Sequence, residues 1–280
     1  MPAIVNNMDE VSIASLGDAS DCGDLSVTRR PGEATSNRVR GLCFGGEVTG
    51  GTSATDTIDY WTFASLANAV DFGDLIAETY GGMGAACDGT KALASGGGNI
   101  STDPLNTINT VNVSSTGNAT DHGDLTVARK GLGGCSHETY GVFAGGTTGS
   151  ASDRIDYVAI ATTGNATEFG DLTAARIKIG GGCSDNVRAQ WAAGKEASSV
   201  NIIDSVNIAS TGNATDFGDI TVARYDTTNF NDATKGCCSG GTSGPYSDVI
   251  DYWVMASPGN ASDFGNLTLA RYEPGGCSGT

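Results

Sequence analysis

The sequence predicts an all-β fold that is built as a closed ring of six similar units. The first observation is a recurring phrase, GNATDFGDLTVAR or a close variant, which occurs six times. Its central glycines mark the copies: Gly23, Gly73, Gly123, Gly170, Gly218 and Gly265. The second is the composition, because glycine supplies 42 of 280 residues and aromatic residues only 7%. Such a composition is typical of many short strands joined by turns.

Each unit divides into four segments of strand length. In the unit 130–176, KGLGGCS and GVFAGG are short glycine-bearing runs, RIDYVAI alternates, and EFGDLTAAR ends the unit. Gly, Ser, Thr or Asn marks every boundary, and no segment keeps a 3.6-residue period for three turns. TTGNAT, between the third and fourth segments, has the residues of a hairpin loop. A radially repeated unit of four strands is a propeller blade, so six copies predict a six-bladed β-propeller with four antiparallel strands per blade.

The two ends of the chain are expected to share one blade. YEPGGCSGT would supply its first strand, and PAIVNN, MDEVSIAS and DCGDLSVTR its second, third and fourth strands. This closure, with one C-terminal and three N-terminal strands, would leave no free sheet edge. The prediction is one propeller domain, 1–280, with these blades: 272–280 with 1–30, then 31–79, 80–129, 130–176, 177–224 and 225–271.

The paired glycines that end the second segment, such as Gly145 and Gly146, are expected to allow a bend and a close backbone approach. A phosphate loop would need a helix amino terminus after them, and none is predicted. Other residues are expected at these places in the first and fifth blades: Asn6 with Asn7, and Ala193 with Gly194.

The arginine that ends the phrase recurs in five copies: Arg29, Arg129, Arg176, Arg224 and Arg271, with Thr79 in the sixth. Carboxylates recur at the same frequency, as Asp59, Asp156, Asp204 and Asp251. The matching favours arginines that form ion pairs or bond the backbone between blades. A ring of arginines that holds an anionic ligand is the alternative.

The repeated acidic pairs, such as Asp121 with Asp124, suggest two kinds of chemistry. Glycoside hydrolysis needs a unique pair with one raised pKa, and a calcium loop needs a denser spacing of oxygen ligands. Near-copies of one pair in every unit fit neither requirement, so a solvated outer hairpin is favoured.

The remaining polar candidates are also expected to be structural. Asn118, Asn165, Asn213 and Asn260 begin glycosylation-type triplets but are expected to be turn residues. His122 and His137 lack a partner for nucleophilic catalysis. Three cysteines repeat in GGCS, which indicates a small buried residue used again in each blade, and no CxxC pair predicts zinc. We therefore predict no catalytic, cofactor-binding or metal-binding residue, and no cofactor; ligand-binding residues are unassigned.

The charge balance restricts the partners. The chain has 32 acidic and 15 basic side chains, a net charge of -17, which repels nucleic acid and anionic lipid. The start, MPAIVNNMDE, has no basic or apolar region of a signal peptide, and no stretch is apolar enough to span a bilayer. We expect synthesis in a cytoplasm, no nucleic-acid partner and no membrane insertion.

The apolar run before Gly-Gly, the tyrosines Tyr60, Tyr157 and Tyr252, an aromatic residue in the last strand and the following arginine together resemble kelch repeats. Kelch repeats usually have Trp in the last strand. This chain has other residues there: Phe72, Phe169, Phe217, Phe264, Cys22 and His122. The copper-site Tyr, His and Cys set of galactose oxidase, another propeller of this type, has no counterpart here.

The whole phrase, with GGCS and VFAGG, is similar to repetitive kelch-like proteins of tailed bacteriophages, especially phages of marine bacteria. The resemblance implies a non-enzymatic virion protein on the tail, a fibre or the capsid surface, assembled in the host cytoplasm. Its expected partners are other virion proteins or a host surface glycan, bound through the variable segments 31–40, 47–57, 98–107 and 195–201 on one face. An intracellular kelch-type adaptor and a carbohydrate-active enzyme are the alternatives.

Overall fold

The computed structural model of the chain describes residues 5–49, 53–65 and 67–279. In this part of the chain, 22 β-strands form five four-stranded antiparallel sheets and one two-stranded sheet. The same residues contain one short 3-10 turn, Phe63–Ser65, and no α-helix. The all-β propeller fold predicted from the sequence is confirmed.

The strands run through the sheets in chain order. The two-stranded sheet contains β1 (Asn7–Glu10) and β2 (Ser20–Asp24). The next sheet contains β3 (Arg30–Ser36), β4 (Arg40–Thr49), β5 (Ser53–Thr62) and β6 (Val70–Thr79). It is followed by the sheet of β7 (Met83–Cys87), β8 (Lys91–Gly96), β9 (Thr107–Asn112) and β10 (Thr120–Asp124).

Three further sheets complete the ring. The first has β11 (Gly133–Ser136), β12 (Tyr140–Ala144), β13 (Arg154–Ala159) and β14 (Thr167–Asp171). The second has β15 (Cys183–Ser184), β16 (Arg188–Ala192), β17 (Ile202–Asn207) and β18 (Thr215–Asp219). The third has β19 (Thr228–Asn231), β20 (Lys235–Ser239), β21 (Ser247–Val254) and β22 (Ser262–Arg271).

The first strands of successive sheets contact one another and surround the central channel, as β3 contacts β7, β7 contacts β11 and β11 contacts β15. Since neighbouring strands are antiparallel, the loops after second strands and the connections between sheets lie at the same end of the ring. We call this end the loop face. The turns after first and third strands lie at the opposite end, the turn face.

The repeated phrase joins each sheet to the next around the outside of the ring. Gly117 N donates to Phe72 O at 2.8 Å, and Asn118 Oδ1 accepts from Asp74 N at 3.2 Å. The glycine is required because a Cβ on Gly73, at φ 147°, would lie 2.5 Å from the carbonyl oxygen of Gly117. The side-chain bond occurs at all six places, with these acceptors: Asn68, Asn118, Asn165, Asn213, Asn260 and Asp18. The phrase therefore recurs because it forms the interface between units.

Apolar side chains from adjacent sheets form the core. Ile155 and Phe169 of one sheet pack in a single cluster with Ala189 and Trp191 of the next. Ile155, Ala189 and Trp191 are fully buried. Burial across each interface is the main favourable term in joining the sheets.

The prediction of six four-stranded blades is wrong, because among the described residues the sixth place in the ring holds the two-stranded sheet of β1 and β2 and no further strand. Residues 272–279 form no strand ladder, although Ser36 Oγ donates to Ser278 O beside β3. On the other side, β2 and its following segment contact the next sheet, as Ala69 N donates to Asp24 O at 2.7 Å.

PAIVNN was predicted as the second strand of the shared blade, and its described part occupies a different place. Asn6 O accepts from Leu25 N at 2.7 Å, as Asp153 O accepts from Leu172 N at 2.7 Å. Asn6 is thus equivalent to Asp153, which precedes a third strand. The interpretation of Asn6 and Asn7 as a replacement for paired glycines is therefore wrong; residues 1–4 lie outside the described residues.

The other replacement for the glycine pair is confirmed by the backbone. Ala193 and Gly194 have φ values of 66° and 117°, compared with 67° and 94° at Gly145 and Gly146. The two positions share the bend after the second strand although one residue carries a Cβ.

Candidate binding site at the channel mouth

The repeated arginines form buried ion pairs between sheets. The shortest N–O distances are 2.7–3.0 Å in these pairs: Arg29–Asp59, Arg129–Asp156, Arg176–Asp204, Arg224–Asp251 and Arg271–Asp9. In the best-defined example, Arg129 Nη2 also donates to Phe143 O at 3.2 Å, and Thr126 Oγ1 donates to Asp156 at 2.7 Å. The ion-pair interpretation is confirmed, and Asp9 adds a fifth carboxylate that the sequence pattern did not reveal.

The sixth place of this pattern is neutral. Thr79 replaces the arginine, and Asn109 replaces the aspartate. Asn109 Oδ1 accepts from Ile76 N at 3.1 Å, and its Nδ2 donates to Ala94 O at 3.4 Å. Because both charged residues are replaced by neutral ones, no unpaired charge is buried there.

The acidic pairs and the histidine of the phrase have local structural contacts. Asp121 Oδ1 accepts from Gly123 N at 3.0 Å, and the same bond occurs at Asp71 and Asp216. His122 is buried, with its Nε2 3.0 Å from Ala159 O. Over the residues that the structure describes, no group of three or more His, Cys, Asp or Glu side chains is placed to hold a metal ion.

The cysteines are free thiols that fill space at the sheet interfaces. Cys135 Sγ donates to Cys183 O at 3.2 Å in the neighbouring sheet. Burial raises the pKa of Cys135 to about 12. A thiol held protonated in this way is a weak nucleophile and a weak metal ligand.

Several residues around the channel on the loop face have a left-handed backbone conformation. The residue two positions after the phrase-ending Arg has φ of 51–69° in four connections: Gly131, Lys178, Asp226 and Glu273. Backbone bonds join them, as Asp226 N donates to Lys178 O at 3.1 Å and Glu273 N donates to Asp226 O at 2.8 Å. A left-handed conformation costs a residue with a Cβ roughly 1–2 kcal/mol. Strain of this kind concentrates at functional sites, which directs attention to Lys178, Asp226 and Glu273.

Charged side chains from several sheets meet here. Lys178 Nζ lies 2.6 Å from Asp226 Oδ2, and Arg30 Nη1 lies 2.9 Å from Glu47 Oε2. Burial raises the pKa of Glu273 to about 7, and the carboxylate of Asp226 adds to the shift. Burial also raises the pKa of Asp226, against the opposing effect of Lys178. For Lys178, burial lowers the pKa, but Asp226 outweighs it and the net shift is upward.

Tyrosine rings lie between these charges. Tyr225 has Lys178 Nζ 5.2 Å and Lys195 Nζ 4.9 Å from its ring centroid. Tyr246 stacks on Tyr272 with ring centroids 4.6 Å apart. The guanidinium of Arg30 lies 4.6 Å from the Tyr272 centroid.

We call this group the channel mouth; its members are Arg30, Glu47, Lys178, Lys195, Tyr225, Asp226, Tyr246, Tyr272 and Glu273. It combines aromatic faces with donors and acceptors of both charges.

Glu33 lies deeper along the channel, on the first strand of its sheet. It is 5% exposed and lies beside Gly181 of the opposite sheet and Gly276. Burial raises its pKa to about 8, although the backbone amides of Ala34, Gly276 and Gly181 favour the charged form. The carboxyl group therefore stands near the channel axis, below the mouth.

The sequence assigned no ligand-binding residue, and the structure gathers the mouth from segments that are distant from one another in the chain. Lys178, Asp226 and Glu273 were missed because the same repeat position holds glycine in two other copies, at Gly81 and Gly131. Aligning the copies on the phrase-ending arginine would have shown a position that changes from glycine to charged residues.

The predicted binding segments are only partly on one face. The described parts of 47–57, together with 98–107 and 195–201, lie on the loop face. Residues 31–36 belong to β3, and 37–39 form a turn on the turn face, so 31–40 is wrong as part of a single binding surface.

Comparison of the chain with models of known protein families gives no match, and comparison with curated proteins gives none. In the described part of the chain, no helix has the length and apolar character needed to cross a membrane. The kelch-like and phage-like resemblance stays a prediction that depends on the residues of the repeated phrase.

Proposed function

We propose that the chain is a non-enzymatic virion component of a tailed bacteriophage that binds a neighbouring virion protein or a host surface glycan at the channel mouth. The mixed aromatic and charged surface on the loop face carries the binding part of this proposal. The resemblance of the repeated phrase to phage kelch-like proteins supports the virion part.

The chemistry of the mouth suits a polar ligand with ring or acidic groups. Tyrosine faces pack on apolar ring surfaces while their hydroxyl groups stay available for hydrogen bonds. Lys195 and Arg30 supply donors for acidic groups, and the Glu47 and Glu273 carboxyls supply acceptors. Ligand sites commonly combine convergent polar groups with aromatic walls in this way.

A second candidate function is glycoside hydrolysis, because the carboxylate of Asp226 acts on the carboxyl group of Glu273 at the mouth. The raised pKa of Glu273, about 7, suits a general acid. Asp226 is bonded to Lys178, whose charge opposes the effect of burial on the pKa of Asp226. We place binding first because the phrase resembles non-enzymatic virion proteins.

Immunogold electron microscopy of purified virus particles, with antibody raised against this chain, tests the virion part. We expect label on the tail, a fibre or the head surface, with preimmune serum as the control. Unlabelled particles, together with labelled infected cytoplasm, would contradict it.

A glycan array tests the mouth itself. Lys195→Ala is expected to weaken binding, while Lys91→Ala, whose ammonium bonds Ala161 O on the turn face, serves as the matched control. Equal loss in both variants would contradict a site at the mouth. Cleavage of a glycan that is abolished by Glu273→Gln would replace the binding proposal with the hydrolase.

A further inference from the structure

An apolar cleft of about 670 Å³ lies at the sixth place of the ring. Residues 275–278 line one side and β1 lines the other. Apolar and aromatic side chains form much of its wall, including Met8, Trp61 and Leu267. The cleft is continuous with the channel mouth, since it is also lined by Arg30, Tyr246, Tyr272 and Glu273. We call it the seam cleft.

In the complete sheets the equivalent space holds a second strand. In the sheet β11–β14, β12 pairs with β11 on one side and β13 on the other, and Val142, Phe143 and Ala144 are fully buried. At the sixth place β1 pairs with β2, and the described residues put no strand on its other edge. The edge of β1 away from β2 therefore faces the seam cleft, and an extended peptide can add as a strand at such an edge.

Side-chain burial shows the same difference. Met8, opposite Gly23 in its ladder, is only half-buried, whereas Ile155, opposite Gly170, is 0% exposed. Leu267 is half-buried, while its equivalent Leu172 is buried. A strand in the cleft would remove these apolar groups from water.

Arg271 supplies a polar anchor for such a strand. In four other places the arginine donates to a second-strand carbonyl: Cys43 O, Phe143 O, Trp191 O and Cys238 O, at 3.0–3.4 Å. Arg271 keeps the bonds to a third-strand carbonyl and an aspartate, Asn7 O and Asp9, and among the described residues it has no second-strand acceptor. Its side chain is 16% exposed, compared with 0–1% for the others. A carbonyl of an added strand would reproduce the bond made in the complete sheets.

We infer that the seam cleft binds one extended, uncharged segment of a partner protein, which adds as the second strand of the incomplete sheet. Its chemistry is set by the chain's own second strands, which have uncharged, mainly apolar residues before a Gly-Gly or Ala-Gly bend, as in Val142 to Gly146. A charged segment is excluded because Arg271 and Asp9 already neutralise one another. This inference does not depend on a virion location.

A synthetic peptide with the sequence of residues 140–147, YGVFAGGT, is the probe, and the full chain is the receptor. Trp61 lines the cleft and is half-buried, whereas Trp191 and Trp253 are 0% and 2% exposed. We expect saturable one-to-one binding with a blue shift of tryptophan emission. The shift should disappear in Trp61→Phe while fluorescence anisotropy of a labelled peptide still reports binding.

Two receptor variants locate the site. Leu267→Asp is expected to weaken peptide binding at least about tenfold, because it places a charge against an apolar strand. Val127→Asp, at an exposed position in the bend that follows β10, is the control and should bind normally. Arg271→Gln should weaken binding about tenfold through loss of the charged donor. Circular dichroism shows whether each variant is folded.

Three results would overturn the inference. One is no saturable binding to the folded chain. Another is equal binding of a peptide carrying Asp at the position of Phe143. The third is sedimentation as a dimer whose Trp61 emission is already shifted without peptide, since a second copy would then fill the cleft.

Discussion

The five complete sheets and the two-stranded sheet at the sixth place share their outer half and differ in their inner half. The outer contacts are the same, since Asn266 N donates to Asp18 Oδ1 at 2.9 Å where Asp74 N donates to Asn118 Oδ1 at 3.2 Å. The ion pair Arg271–Asp9 is also kept, at 2.8 Å. The inner half lacks a paired second strand among the described residues, and the pair there is partly exposed.

This difference separates two roles that a complete blade combines. The repeated phrase joins neighbouring units at the outside of the ring, through hydrogen bonds to backbone carbonyls and to Asn or Asp side chains. The second strand buries the arginine and closes the apolar core. A unit with only its outer half can therefore hold the ring together while leaving a cleft inside.

The largest expected effect comes from breaking a fully buried ion pair. Arg129→Ala leaves Asp156 charged and buried, which should lower the free energy of unfolding by roughly 3–5 kcal/mol. Arg271→Ala should cost less, about 1–3 kcal/mol, because the Arg271 side chain is 16% exposed and the pair is less completely removed from water. Urea denaturation at neutral pH measures both. Equal losses of unfolding free energy in the two variants would mean that the ion pair at the sixth place is as well shielded from water as the pair in a complete sheet.

Glu33, beside the C-terminal segment at the channel axis, should make stability depend on pH. Its folded-state pKa of about 8 lies above the ordinary 4.5, so the folded state holds the proton more tightly. The resulting stabilisation is complete below pH 4.5 and is lost as the pH rises through 8. Glu33→Gln should flatten this fall and be more stable at pH 8.5 by roughly 2–4 kcal/mol. Unfolding curves from pH 5 to 8.5 that are parallel in the two proteins would contradict the assignment.

The outer contacts can be compared by adding one methyl group at a time. A Cβ on Gly123 would lie 2.3 Å from Gly164 O, and one on Gly265 would lie 2.4 Å from Gly17 O, at φ 145° and 152°. Gly123→Ala and Gly265→Ala should each cost about 2–3 kcal/mol. Gly149→Ala, with nothing near its Cβ, controls for strain from positive φ alone. If Gly265→Ala left the stability unchanged, the close contact between Gly265 and Gly17 at the outside of the ring would be absent.

The smallest expected effect concerns the neutral place at Thr79 and Asn109. Asn109→Asp should destabilise the fold by about 1–2 kcal/mol, because it buries a carboxylate without a cation. Adding Thr79→Arg should recover most of the loss by recreating the pair of the other interfaces. A double-mutant cycle in thermal unfolding measures the coupling, and strict additivity would show that the two positions do not interact.

The sequence predicted the fold where one residue pattern determines one structure. The phrase predicted the outer hairpins, and the matched Arg and Asp residues predicted the ion pairs between sheets. The place of PAIVNN was not predictable from its composition, because an apolar triplet fits a second strand or a loop. Hydrogen-bond register decided it, through Asn6 O and Leu25 N. The channel mouth was hidden for a different reason, since its residues are distant in the chain and vary at one repeat position.

Hydrogen exchange of the backbone amides, with and without the YGVFAGGT peptide, tests most directly whether the rim closes the ring while the inner half stays open to a strand. The Gly17 and Ala19 amides, bonded to Phe264 O and Asn266 O, should be as protected as Gly117 and Ala119 without the peptide. The β1 amides that face the seam cleft should exchange fast alone and become protected when the peptide binds. Fast exchange at Gly17 and Ala19, or β1 amides that the peptide leaves unchanged, would contradict the account.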